Sequence, residues 1–240
     1  MSILQRFQMP GSVAIVTGSG RGIGRAIALA YAEAGADVVC SARSLAEVEA
    51  VAEEVRGLGR RALAIACDVN DAGQRQALVR QSVEQLGRIT HLVNNVGGGG
   101  PNDPLSMTPE QFAQGLTFNV ATSYAFCQLC VPLMRDAGGG NIINISSVAA
   151  RYAQRHFSAY GTAKAALSHL TRLLAQDFAP QIRVNAVAPG PTLTEALNGV
   201  MPSAMRQVME TNTPLKCLGS PQDIAAAALY LASPASAWVT

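Results

Sequence analysis

Tyr160 and Lys164 stand four residues apart in a stretch with helical periodicity, which puts their side chains on one helix face. A free phenol titrates at about pH 10, too high for a base at neutrality, and a neighbouring ammonium favours the phenolate and lowers that value. Such a pair can move a proton to or from a bound oxygen. Chance also produces Y-x-x-x-K, and the two residues are then only a surface pair. Ser146 closes a short apolar run that reads as a strand, and α/β sheets bind ligands at such strand ends. Its hydroxyl suits either a substrate oxygen or the cap of a following helix.

A third group of residues suits a nucleotide. Thr17-Gly18-Ser19-Gly20-Arg21-Gly22-Ile23-Gly24 joins an apolar strand to a helix. The strict G-x-G-x-x-G spacing is absent, but Gly18, Gly22 and Gly24 form G-x-x-x-G-x-G. Glycines permit the sharp turn, and the helix N-terminus offers free N–H groups and a positive dipole to a pyrophosphate. An ordinary βα turn competes with this reading, and the position after the first strand of an alternating series favours the nucleotide. The second strand ends Cys40-Ser41-Ala42-Arg43, without the carboxylate that would bind the ribose hydroxyls of NAD. Asp37 lies at the wrong end of that strand. Arg43 suits a 2′-phosphate, or is a solvated loop residue; the balance favours NADP over NAD.

These residues need a scaffold, and the 240-residue chain predicts a single α/β domain spanning 1–240. Apolar runs at 13–17, 38–42, 62–67, 91–94, 141–146 and 182–188 read as buried strands. Helical patterns alternate with them over 22–34, 45–57, 73–86, 109–137 and 158–178, and a last helix covers 221–232. Ser44 and Glu47 predict a capping box, and Thr108, Pro109 and Gln111 predict another with a proline at the first helical position. Apolar rather than alternating strands mark a parallel sheet covered on both faces. Apolar residues are 49% and charged residues 14%, which excludes disorder. The net charge of +2 is scattered and aromatics are 5%, so neither a nucleic-acid binder nor a membrane-surface binder is expected. Five cysteines without regular spacing argue against a disulfide framework, and Cys127-x-x-Cys130 reads as part of a buried helix rather than a metal site. No signal peptide or membrane span is read in the first thirty residues, and a cytoplasmic location is expected.

Together the motifs resemble the short-chain dehydrogenase/reductase family over essentially the whole chain. T-G-x-x-x-G-x-G matches at Thr17 to Gly24, Asp68-Val69 matches the pair after the third strand, and Asn94-Asn95-Val96-Gly97 matches N-N-A-G with Val96 for alanine. Asn119, Ser146, Tyr160 and Lys164 fall at the catalytic tetrad positions, and Pro189-Gly190 at the P-G motif. The resemblance implies a doubly wound (Rossmann) sheet and reversible hydride transfer between NADP and a secondary alcohol or ketone. By that resemblance Tyr160 is the acid/base, Lys164 lowers its pKa and holds the nicotinamide ribose, Ser146 positions the substrate oxygen, and Asn119 anchors a relay water. Gly18, Arg21, Gly22, Ile23, Gly24, Arg43, Asp68, Val69, Asn95, Tyr160, Lys164, Pro189, Gly190, Thr192, Leu193 and Thr194 would line the cofactor.

A closer similarity is to bacterial 7α-hydroxysteroid dehydrogenases. It is carried by LVNNVGGGGP at 92–101, LTEAL at 193–197, Asn212 to Leu215, Leu218-Gly219, Gln222 to Ala225, Ser233-Pro234 and Trp238. The four-glycine run, with Gly99 at the substrate, would widen the pocket mouth for a flat polycyclic molecule, or is a flexible loop. A substrate lid is expected over about 190–215. Two alternatives stand beside the hydroxysteroid reading. One is a 3-oxoacyl-acyl-carrier-protein reductase, with Arg151 and Arg155 meeting an acidic carrier; the other is a non-catalytic NADP-binding protein. Family members continue past the position of Trp238 into a final strand, so the sheet is expected to lack its last strand here. The resemblance also implies a homotetramer or homodimer, built by pairing the helices over 109–137 and 158–178.

Overall fold

The computed structural model describes residues 2–195, 199 and 201–240. Six strands form one parallel sheet: β1 Val13–Thr17, β2 Asp37–Ala42, β3 Ala62–Ala66, β4 His91–Asn94, β5 Gly140–Ile145 and β6 Ile182–Val187. Their order is β3-β2-β1-β4-β5-β6. The chain winds outward from β1 to β3, then crosses back to pair β4 with β1. The loops leaving β1 and β4 therefore diverge, and a crevice opens above the carboxyl ends of these two strands.

Two cores flank the sheet. On one face α1 (Gly22–Glu33), α2 (Leu45–Gly57) and α8 (Pro221–Ala232) bury Ile27, Tyr31, Val48, Val51 and Ala228 against alternate strand residues. On the other, α3 (Ala72–Leu86), α5 (Thr122–Asp136) and α6 (Ser158–Phe178) bury Leu78, Phe126, Met134 and Leu174. The segment Pro109–Asp136 is long and apolar enough by composition to cross a membrane. Its buried residues Phe126, Cys127, Cys130 and Met134 are nonetheless part of this second core.

Three local features differ from the sequence pattern. The continuous helix expected over 109–137 is interrupted: α4 (Pro109–Leu116) meets α5 through a π-helical turn, Thr117–Ala121. The cause lies in Asn119, whose Nδ2 donates to the Gly115 carbonyl at 2.9 Å and takes an acceptor that regular α-helix would use. The capping box at Ser44 forms by half. Ser44 accepts from the Glu47 N–H, but the Glu47 carboxylate turns instead toward Gly20. Finally, the stretch expected as a substrate lid contains a helix, α7 (Ser203–Asn212), while its positions Ala196, Leu197, 198 and 200 lie outside the described residues.

Candidate active site

The glycine loop is built for close approach. Gly18 and Gly22 have φ of +67° and +57°, which glycine adopts without strain. A Cβ on Gly24 would sit 2.2 Å from the Gly18 carbonyl oxygen, so α1 can enter this close to the turn only with glycine there. Arg21 precedes α1 without capping it through its side chain, and the first turn of α1 carries no acidic residue. Its N–H groups thus face the crevice with their partial positive charge uncompensated. Asn95 ties the loop to β4, donating from Nδ2 to the Thr17 and Gly18 carbonyls at 2.9 and 3.2 Å.

Two cavities meet along this loop. The first, about 370 Å³, is lined by Gly18, Arg21, Arg43, Asp68, Val69 and Asn95, all expected from the sequence. It is also lined by Glu47, which sequence reading assigned to the cap. Arg21 and Arg43 form no ion pair among the described residues. Asp37, at the opposite end of β2, is engaged by Arg60 and Arg61 at 2.9 and 2.8 Å. The second cavity, about 510 Å³, gathers Gly22, Ile23, Gly24, Gly99, Ser146, Tyr160, Lys164, Pro189, Gly190, Thr192 and Thr194. Leu193 lines neither; its N–H donates to the Gly219 carbonyl at 2.7 Å.

At the mouth of the second cavity α6 presents Tyr160 and Lys164 one turn apart. Lys164 is 3% exposed, and its Nζ donates to the carbonyl of Ile145, the last residue of β5, at 2.8 Å. No carboxylate pairs with it among the described residues. Burial disfavours its charged form and pulls its pKa down to about 8. The ammonium lies 5.8 Å from the centre of the Tyr160 ring. Gly99 backs that ring so closely that a Cβ would meet Tyr160 Cδ2 at 2.9 Å. A Cβ on Gly97 would lie 2.7 Å from both Asn119 Oδ1 and Lys164 Nζ, so these two groups face one small gap that only glycine leaves open. Asn119 itself is held by Gly98, whose N–H and carbonyl both bond its amide at 2.9 Å.

Ser146 borders the same cavity, and it does not cap the turn that follows. That role falls to Ser147, whose hydroxyl accepts from the Ala149 N–H at the 3-10 turn Val148–Ala150. The Ser146 hydroxyl instead sits 3.0 Å from the Lys164 carbonyl and 2.7 Å from the hydroxyl of Ser168. Among the polar groups that sequence reading did not place at the site are Ser168 and Glu47. Ser168 had a signal, four residues beyond Lys164 on the same helix face. Glu47 had none, because its cap role accounted for it locally.

Comparison with known proteins places this geometry. A family model described as enoyl-(acyl carrier protein) reductase matches residues 18–240. An uncharacterized oxidoreductase of Mycobacterium tuberculosis is 50% identical over 99% of this chain and 91% of its own. The 7α-hydroxysteroid dehydrogenase of Escherichia coli K12 is 42% identical over 97% of this chain and 91% of its own. A solved structure of 7α-hydroxysteroid dehydrogenase complexed with NADH and 7-oxo glycochenodeoxycholic acid superposes with a TM-score of 0.95. It is 41% identical and covers all of this chain, which in turn covers 94% of that one.

Proposed function

Because the chain belongs to the short-chain dehydrogenase/reductase family of oxidoreductases, we propose that it reduces and re-forms the ketone of a hydroxysteroid with NADP as hydride carrier. Residues 1–240 act in this reading as one dinucleotide-binding and catalytic domain. The observation that carries it is the meeting of Tyr160, Lys164 and Ser146 at one cavity that continues into the glycine loop. The uncapped N-terminus of α1 and the close-approach glycines fit a pyrophosphate, so the residues present suit a nicotinamide dinucleotide. When bound, that group supplies the hydride to the substrate carbon or takes it back.

The protein's own residues handle the proton and the oxygen. Tyr160 gives its phenolic proton to the carbonyl oxygen in reduction and recovers it from the alcohol in oxidation. Lys164 places its ammonium 5.8 Å from the centre of the Tyr160 ring and carries that charge below about pH 8. Ser146 donates to the substrate oxygen as negative charge develops there. Asn119 Oδ1 and Lys164 Nζ, facing one gap beside Gly97, suit a water that returns protons to Tyr160.

Two guanidiniums, Arg21 and Arg43, beside Ala42 support a 2′-phosphate and hence NADP. Glu47 in the same cavity opposes it, so the preference rests on the two cations outweighing one carboxylate. For the substrate, the glycine run at 97–100 and the similarity to hydroxysteroid dehydrogenases support a flat polycyclic ketone. All five cysteines are free and four are buried, which supports a reducing cytoplasm. Tyr124 on α5 and Leu173 on α6 expose apolar surface, which supports a homotetramer or homodimer built through these helices. The test is consumption of NADPH and of NADH with a 7-oxo bile acid and, in parallel, an acetoacetyl thioester. Steroid turnover with NADPH is expected. Turnover of the thioester alone would reassign the enzyme to acyl substrates, and preference for NADH would overturn the reading of Arg43.

A further inference from the structure

We propose that Ser168 is a positioning residue that sets the direction in which Ser146 donates its proton. The inference rests on Ser146 binding the substrate oxygen. Three oxygens form a closed triangle at the junction of β5 and α6. The Ser146 hydroxyl is 3.0 Å from the Lys164 carbonyl, the Ser168 hydroxyl is 2.9 Å from that carbonyl, and the two hydroxyls are 2.7 Å apart. The carbonyl only accepts, whereas each serine has one proton to give and lone pairs to receive.

That inventory has a consequence for the reaction. When Ser146 donates to the Lys164 carbonyl or to Ser168, its proton points into the triangle, away from the cavity. To stabilise a carbonyl oxygen, Ser146 must turn that proton outward. Without Ser168, the turn strips the Lys164 carbonyl of its hydroxyl donor and leaves the Ser146 oxygen with no donor of its own in a buried site. With Ser168, one of the two losses is made good. Its proton serves the carbonyl or moves to the Ser146 oxygen, and donation to Ser146 polarises the outgoing O–H further. A serine four residues on in a helix commonly bonds back to the i−4 carbonyl, so that bond by itself is unremarkable. The 2.7 Å contact across to a residue of the neighbouring strand end is what ties Ser168 to the substrate oxygen.

Because the benefit grows with charge on that oxygen, loss of Ser168 lowers kcat and leaves KM nearly unchanged. The test uses Ser168→Thr and Ser168→Val, which add the same volume and differ in the hydroxyl. With the ketone that the wild-type protein reduces, Ser168→Thr is expected to retain activity and Ser168→Val to lose about tenfold in kcat. In a Ser146→Ala background, Ser168→Val should cost nothing more. Equal losses in the Thr and Val variants, or full additivity with Ser146→Ala, would assign Ser168 to packing and overturn the proposal. A wild-type protein inactive on every ketone would instead overturn the reading on which it rests.

Discussion

The two ends of the sheet both bury a basic side chain, and they treat it oppositely. At the amino-terminal end His91 opens β4 with both ring nitrogens engaged, one with Thr90 Oγ1 at 2.8 Å and one with the Ala232 carbonyl at 3.2 Å. Around it the Tyr31 hydroxyl donates to Ala228, and Arg183 reaches the carbonyls of Leu231, Ala232 and Val239 together with the Ser236 hydroxyl. Burial pushes His91 down to about 4, so it stays neutral and quiet. At the carboxyl end Lys164 is buried with one carbonyl at its ammonium and a cavity beside it, and is held at about 8, within reach of neutrality. A closed network stabilises; an unpaired cation at a cavity costs stability and serves chemistry.

Variants at the two ends should therefore fail differently. Tyr160→Phe is expected to lower kcat by about 10²–10⁴-fold while NADPH affinity and Tm hold, by steady-state rates and fluorescence titration. An active Phe variant breaks the assignment of the upper end. Arg183→Met should do the reverse, costing roughly 2–3 kcal/mol, or about 5–10 °C in Tm, because buried carbonyls lose their donor, with kcat little changed.

The pH dependence of stability sharpens the contrast further. Lys164 titrates at about 8 when folded and at about 10.4 when unfolded. Between these values the unfolded chain still holds the proton that the folded protein has released, so stability rises with pH. Relative to Lys164→Met, the cofactor-free wild-type protein should gain roughly 2 kcal/mol between pH 8 and 10, by denaturant titration. His91 obeys the same sign at lower pH: stability falls as pH drops from about 6.5 toward its folded value of about 4. A flat profile in either window would show that group to be solvated. The smallest effect is expected at Arg43→Ala, about a tenfold rise in KM for NADPH with KM for NADH unchanged.

Much of this was readable along the chain. The period of apolar residues determined the alternation of strand and helix, because burial on both sheet faces demands it locally. Thr108 with Gln111 specified a full capping box, which forms as expected. Tyr160 and Lys164 were legible because i and i+4 share a helix face whatever surrounds them. Local rules failed where a side chain had two partners to choose between. Asn119 could extend a helix or take the Gly115 carbonyl, and the packing of Gly98 against it selects the second. Glu47 could close its cap or face Gly20, and only the approach of the glycine loop to α2 decides.

The sequence by itself determined the element order, the glycine turn and the identity of the tyrosine–lysine pair, since each depends on neighbours within a few residues. Tertiary structure alone decided that Lys164 loses its water, that Ser146 leaves the cap to Ser147 and that Ser168 stands behind it. Desolvation and hydrogen-bond choice depend on what distant segments bring within about 3 Å, and no local pattern encodes that.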